Sequence, residues 1–432
     1  MDYRVLLKEE NEAVRERFTL ASERIREIIA GEKTEIAEEL RLYFHRTARF
    51  LEECRALYED VASGALNHCT LEELQAENKR FYADILPENY AVSYANPAYA
   101  VKVLGEEYGR VLSFLYTELR GERVYIFEQN LEKMTILHEL FIEIYCMFES
   151  GEVSYRQVRE CIYWFLHDYA DEFVGWRVRE MLDTSLDFAT SIVMEEDLDD
   201  PRYLFRYGEY ISENEIQMAE YLSRLPEEEI EQIADTFTDG FREGFALKNV
   251  DLSKKKLVNI RYNLGFERVI RAAIKQFRQM GLEPIVYRAA GNTLNKRQNL
   301  KIGYVSSNPN EQYDYDHRFD DALYFDKRML DRKITCMRKA YEEYARETEG
   351  FAGPACFEVF GEIPFEPESK EESYHLSERQ QNLLMEYSAE ANAVMNEFIN
   401  QEERSFTIIA YPVPSIGEQF EEIFEAVRKV NT

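Results

Sequence analysis

From the start of the chain to about Gly240, apolar residues recur at the i, i+3, i+4 spacing that gives a helix one core-facing stripe. Leu40, Phe44, Ala48, Leu51, Cys54 and Leu57 predict one such helix, and Leu104, Tyr108, Val111, Leu115 and Leu119 a second. Met134, Leu137, Phe141, Ile144 and Phe148 make a third. A fourth stripe, Val158, Cys161, Phe165, Tyr169, Phe173 and Trp176, is heavily aromatic, which suits the centre of a bundle. Thr70 with Glu73 and Ser212 with Glu215 have capping-box spacing, in which a hydroxyl and a carboxylate satisfy backbone N–H groups at a helix start. Pro226 followed by three glutamates suits a first turn, and Gly240 or Gly244 is the expected stop. The acidic stretch from Glu195 to Pro201 reads as a solvated turn between helices.

After Val250 the period changes. Leu257 to Tyr262 reads as a strand, Phe266, Val269, Ile270, Ala273 and Phe277 as one face of a helix, and Pro284 to Tyr287 as a second strand. That is a βαβ unit and predicts a parallel pair. Lys254, Lys255 and Lys256 precede it and are expected to stay exposed, because burying such charges is costly. Short strands are expected at Ile302 to Val305 and Cys356 to Phe360. Between them a long helix carries Leu323, Leu330, Ile334, Met337 and Tyr341. Ser377 and Gln380 cap a further helix that leads to a strand from Phe406. The expected fold is therefore mixed α and β. An all-α domain occupies residues 1–244, and a small α/β domain with a mainly parallel sheet occupies 245–432.

At 432 residues, with 45% hydrophobic and 13% aromatic residues, the chain can bury more than one core. Its 52 basic against 83 acidic residues give a net charge of −31, a field that disfavours nucleic acid and anionic membranes as partners. Six scattered cysteines include no C-x-x-C pair, so reduced thiols are expected. The opening MDYRVLLKEENEAVRERF has no apolar core of signal-peptide type, and no apolar run approaches the ~20 residues that span a bilayer, so a cytoplasmic protein is expected.

His138-Glu139 opens like a zincin motif, but Ile142 stands where the second histidine belongs. No G-x-S-x-G elbow, Walker loop or G-x-G-x-x-G fingerprint is present. One polar cluster stands out, Asn308 to Asp321, where Asp314 with His317, or His317 with Asp321, share a helical face. A carboxylate beside an imidazole can serve proton transfer or a metal; a helix start with aspartates favouring the dipole is the competing reading. Tyr313, Asp316, His317 and Arg318 are accordingly expected on a cleft or interface, without a complete metal site. Tyr411, in the loop Tyr411 to Ser415, joins them, because ligands of open α/β sheets bind beyond strand ends. No catalytic residue and no metal ligand is assigned.

Three segments carry a family resemblance. They are TDGFREGFALKN with KKKLVNIRYNLGFERVIRAAIKQFRQMGLEPIVYR, then NPNEQYDYDHRFDDALYFDKR, then ERSFTIIAYPVPSIGEQFEEIF. The last resembles the strand and Pro-x-Pro loop in the N-terminal domain of metallo-aminopeptidases of the aminopeptidase T and aminopeptidase S type. The resemblance implies a homodimeric enzyme that releases N-terminal residues from a peptide substrate, using two divalent metals such as zinc or cobalt. It also implies ligands, two Glu, two His and one Asp, and a catalytic Tyr in a C-terminal domain that would begin where this sequence ends. No position here matches that pattern, so the chain alone is expected to be inactive and to bind neither metal. The alternative is a non-catalytic cytoplasmic interaction protein that binds a protein or peptide partner.

Overall fold

The computed structural model describes residues 3–31, 35–288 and 303–431. Long helices dominate the first half. Tyr3–Ala30 lies along Leu131–Glu149 and Glu38–Ser63, and the stripes from Phe44 to Leu57 and from Met134 to Phe148 are buried between them. The capping boxes at Thr70 and Ser212 form as the spacing predicts, and so does the one at Ser377. Two expected single helices are broken. Gly105, at φ +84°, separates Pro97–Leu104 from Glu106–Arg120. A π-helical turn, Asp171–Gly175, separates Tyr155–Asp168 from Trp176–Leu182.

Among the described residues the sheet has five strands: β1 (Leu257–Asn263), β2 (Glu283–Ile285), β3 (Tyr304–Val305), β4 (Phe351–Phe360) and β5 (Thr407–Pro412). Every pairing is parallel, in the order β2-β1-β4-β5, and β3 pairs with the last residues of β1, beyond the reach of β2. β1, the helix Glu267–Gln279 and β2 form the expected βαβ unit. Ile302, where the third strand was expected to start, lies outside the described residues. β4 is longer than its apolar pattern suggests, because Gly353 at φ +122° lets the strand pass the Ser405 carbonyl where its register with β1 shifts. Leu323 sits in a 3-10 turn, and the helix after it runs Lys327–Glu343.

Helices pack on both faces of the sheet, along one and at one end of the other. Val258, Ile260, Tyr262, Ala355 and Phe357 pack beneath the helices Glu227–Lys248 and Glu267–Gln279. The opposite face meets Trp176–Leu182, Lys327–Glu343 and Glu378–Phe398 only at the level of Leu257, Ile285 and Phe351. The helix Glu227–Lys248 runs past Gly240 and Gly244 and ends on Asn249 in the left-handed region. Both glycines lie against β5 instead, Gly240 near Thr407 and Gly244 near Ser405. Residues 244 and 245 therefore lie inside one helix, and the cluster that holds the sheet also takes in Ala189, Ile216 and Phe237. The bundle cluster in turn includes Tyr313, Leu330 and Leu383. Lys255 departs from expectation too. It is buried, and its ammonium donates to Glu349 O at 3.2 Å and pairs with Glu403 at 3.4 Å, which offsets its desolvation.

Candidate functional site

In an open parallel sheet the crevice for ligands lies beyond the strand ends where the strand order reverses. Here that point falls between β1 and β4, because the chain moves from β1 to β2 on one side and later crosses to β4 on the other. The chain itself fills this crevice. The start of the helix Glu213–Arg224 is tied to the end of β3, with Ser307 N and Oγ donating to Glu215 at 2.8 and 2.6 Å. It is tied to the end of β5 as well, Ser415 N donating to Asn214 Oδ1 at 2.9 Å. Gly265, at φ +100°, lets the β1 turn pass beneath Glu215 and Met218.

Buried polar groups concentrate in a seam between the two large apolar clusters. At one end Arg288, 1% exposed, donates to Glu128 Oε1 at 3.0 Å, to Tyr207 O at 2.9 Å and to Glu209, and lies over the Tyr304 ring. Burial pushes the Glu128 carboxyl up to about 7 even with Arg288 beside it. At the other end the expected residues Tyr313, Asp316 and His317 come together at the short helix Glu311–Asp316. Asp316 accepts from Tyr90 OH at 2.7 Å, Gln312 Nε2 at 2.7 Å and Lys370 Nζ at 2.6 Å. His317 Nδ1 meets Asp320 Oδ2 at 2.7 Å, and Nε2 meets Ala95 O at 2.6 Å and Thr117 Oγ1 at 3.1 Å. Both ring nitrogens therefore have acceptors. Burial alone would lower this imidazole's pKa, but Asp320 and the Ala95 carbonyl outweigh it and lift it to about 9. It is a structural cation, poorly suited to act as a general base near neutral pH.

Arg318 turns away from this network and covers the Tyr315 and Phe319 rings, 3.5 and 4.5 Å from their centroids. Tyr411 is fully buried, its ring stacked 5.4 Å from Phe357 and tilted 4.9 Å from Phe424, because the odd positions of β5 face the packed side of the sheet. His138 pairs with Glu122 at 2.8 Å inside the bundle. Sequence reasoning missed Tyr90, Lys370 and Arg288, single residues with no local pattern to mark them. The six cysteines are all free. Among the described residues no group of three or more His, Cys, Asp or Glu is placed to hold a metal ion, and no helix is long and apolar enough to cross a membrane.

Glu267, the first residue of the helix after β1, accepts from Tyr203 OH at 2.6 Å and Gly265 N at 2.8 Å, while its Oε1 is buried without a partner among the described residues. Burial pushes this carboxyl up to about 7. A folded pKa above the ordinary value means that its contribution is full below about pH 4.5 and is lost as pH rises through about 7. Glu267→Gln should therefore stabilise the fold by about 1–2 kcal/mol at pH 8 and flatten that part of the stability profile, as read by urea unfolding at several pH values. An unchanged profile would mean that Glu267 stays charged.

Comparison with known proteins adds no relative: no family model, no curated protein and no solved structure matches this chain.

Proposed function

We propose that this chain works by binding an extended peptide segment, added as a further strand along the outer edge of β5. One observation carries the reading: β5 is an edge strand with no strand beside its outer edge among the described residues, and Phe406 just before it and Ile408 within it are exposed on the open face of the sheet. Ser405 N and Val413 N donate to Ala352 O and Phe360 O of β4. In a parallel strand the alternate residues, Ile408 and Ala410, then turn their N–H and C=O groups outward. Unpaired groups of this kind are what strand addition uses. Phe360, Ile363 and Phe365 extend the exposed apolar surface beyond the strand ends. Exposed Glu402 precedes β5, and exposed Glu362 and Glu366 follow β4. The fitting occupant alternates aliphatic and basic side chains.

The peptidase reading keeps the same peptide in the role of substrate. It rests on the sequence resemblance, whose three segments supply β1, β2, β5 and the turn at Asn308 to Arg328. Its mark would be chelator-sensitive release of a leucyl chromophore. A cytoplasmic setting fits six free thiols.

The test is fluorescence anisotropy with a labelled ten-residue peptide of alternating valine and lysine. Saturable one-to-one binding is expected, weakened at least tenfold when alternate peptide nitrogens are methylated in one register and little changed in the other. Equal binding of both methylated forms would reduce the interaction to net charge and sink the proposal. A second copy of the chain at this edge is the competing occupant, and it would appear in sedimentation as a dimer that the peptide does not dissociate.

A further inference from the structure

A cavity of about 190 Å³ opens along the outer edge of β2, the edge of the sheet opposite β5. One wall is the helix Phe188–Glu195, which lines it with Thr190, Ser191, Met194 and Glu195, neighbours on one helix face. The other wall is β2 itself, with Arg278 from the end of the helix Glu267–Gln279. Glu283 N donates to Lys256 O at 2.7 Å, so the alternation of a parallel strand turns Pro284 outward, where it offers a carbonyl and has no N–H to give. Arg278 is committed to Glu283, its Nη2 and Nε lying 2.6 and 3.1 Å from Oε1. Two groups on the helix wall are left open. Thr190 is only 6% exposed, yet its hydroxyl has no hydrogen-bond partner among the described residues. The exposed Glu195 carboxylate makes no ion pair or hydrogen bond among them either, and it stands in the last turn of its helix, where the dipole disfavours a negative charge.

The lining therefore carries Asp187, Glu195 and Glu283 against a single guanidinium, which Glu283 already holds. What remains is rich in acceptors: carboxylate, carbonyl and hydroxyl oxygens. An anion would be repelled here, whereas a primary ammonium brings one positive charge and three donors. Leu186, Met194 and Ile285 supply apolar surface for a short methylene stem. At ~30 Å³ per water the space equals about six waters, room for an ammonium on a chain of a few carbons. We propose that this cavity binds a small primary alkylamine, with Glu195 as its counter-charge and the Thr190 hydroxyl and Pro284 carbonyl as further acceptors. The site is independent of the β5 edge.

The experiment compares thermal unfolding of the full chain in n-butylammonium, tetramethylammonium and sodium chloride at matched ionic strength. Butylammonium should raise the midpoint saturably. Tetramethylammonium, which has the same charge and no N–H, should do no more than sodium; this separates the site from general screening of the acidic chain. Glu195→Gln should melt no lower than wild type in sodium chloride and should need at least tenfold more butylammonium for the same rise. Thr190→Val, which removes the hydroxyl at nearly constant volume, should weaken the response in the same direction. Glu422→Gln, an exposed change on the helix Phe420–Asn431, should leave it intact. A wild-type midpoint that butylammonium does not raise would overturn the proposal, as would an equal rise with tetramethylammonium or a Glu195→Gln protein that keeps the full response. Should Glu195→Gln fail to fold, wild type and Thr190→Val decide the question.

Discussion

Replacing Arg288 by methionine should lower stability by about 3–5 kcal/mol, as expected when one partner of a buried ion pair is removed. The guanidinium binds Glu128, Glu209 and the Tyr207 carbonyl at a point where all are nearly sealed from solvent, so the substitution leaves two carboxylates facing one another. Methionine fills most of the volume, which keeps the loss electrostatic rather than a matter of cavity formation. Glu128 is already held up to about 7 with Arg288 present, and losing the cation should drive it higher. The variant should therefore recover much of its stability in mild acid. Adding Glu128→Gln should cost less than the sum of the two single changes, since the residues share one network. Urea titrations of the three variants read both effects. A loss below about 1 kcal/mol would place Arg288 in water-accessible surroundings.

His317 should give the second large effect, visible as a pH dependence. Its folded pKa of about 9 stands above the ordinary 6.5, so its contribution is fully present below about pH 6.5 and is lost as pH rises through about 9. The shift corresponds to an order of 3 kcal/mol for this buried group. The groups that face the ring are Asp320 and Asp316 from its own segment, Ala95 O and Thr117 from the bundle, and the Tyr313 ring. His317→Gln should be much less stable than wild type at pH 6, with the gap narrowing towards pH 10. A constant gap would show that packing rather than charge sets the role of the imidazole. Glu128 and Glu267 have raised folded pKa values as well, so the summed contribution of these three groups should fall as pH rises from about 4.5 to 9.

Periodicity made the elements legible because burial is local to a helix face or strand face. The stripe from Phe44 to Leu57 and the βαβ unit from Leu257 need only their own residues to be read. The breaks at Gly105 and at 171–175 were not legible, since the apolar stripe runs on across both. Helix Glu227–Lys248 outran its glycines because Gly240 and Gly244 serve close packing against β5, a tertiary reason that no helix-end pattern carries. For the site, the cluster Asn308 to Asp321 was visible as a concentration of polar residues. Its chemistry was not, because Lys370, Tyr90 and Ala95 come from distant segments and tie up the groups that looked reactive.

The central claim, peptide addition at β5, is tested most directly by hydrogen exchange resolved to single amides within Thr407–Pro412. In the free protein Ile408 and Ala410 should exchange quickly and Ile409 and Tyr411 slowly, following the alternation of the parallel strand. Saturating valine–lysine peptide should slow Ile408 and Ala410 at least tenfold and leave Ile409 and Tyr411 nearly unchanged. Ile408 and Ala410 amides that are already protected without peptide, or that stay fast with peptide bound, would contradict the account.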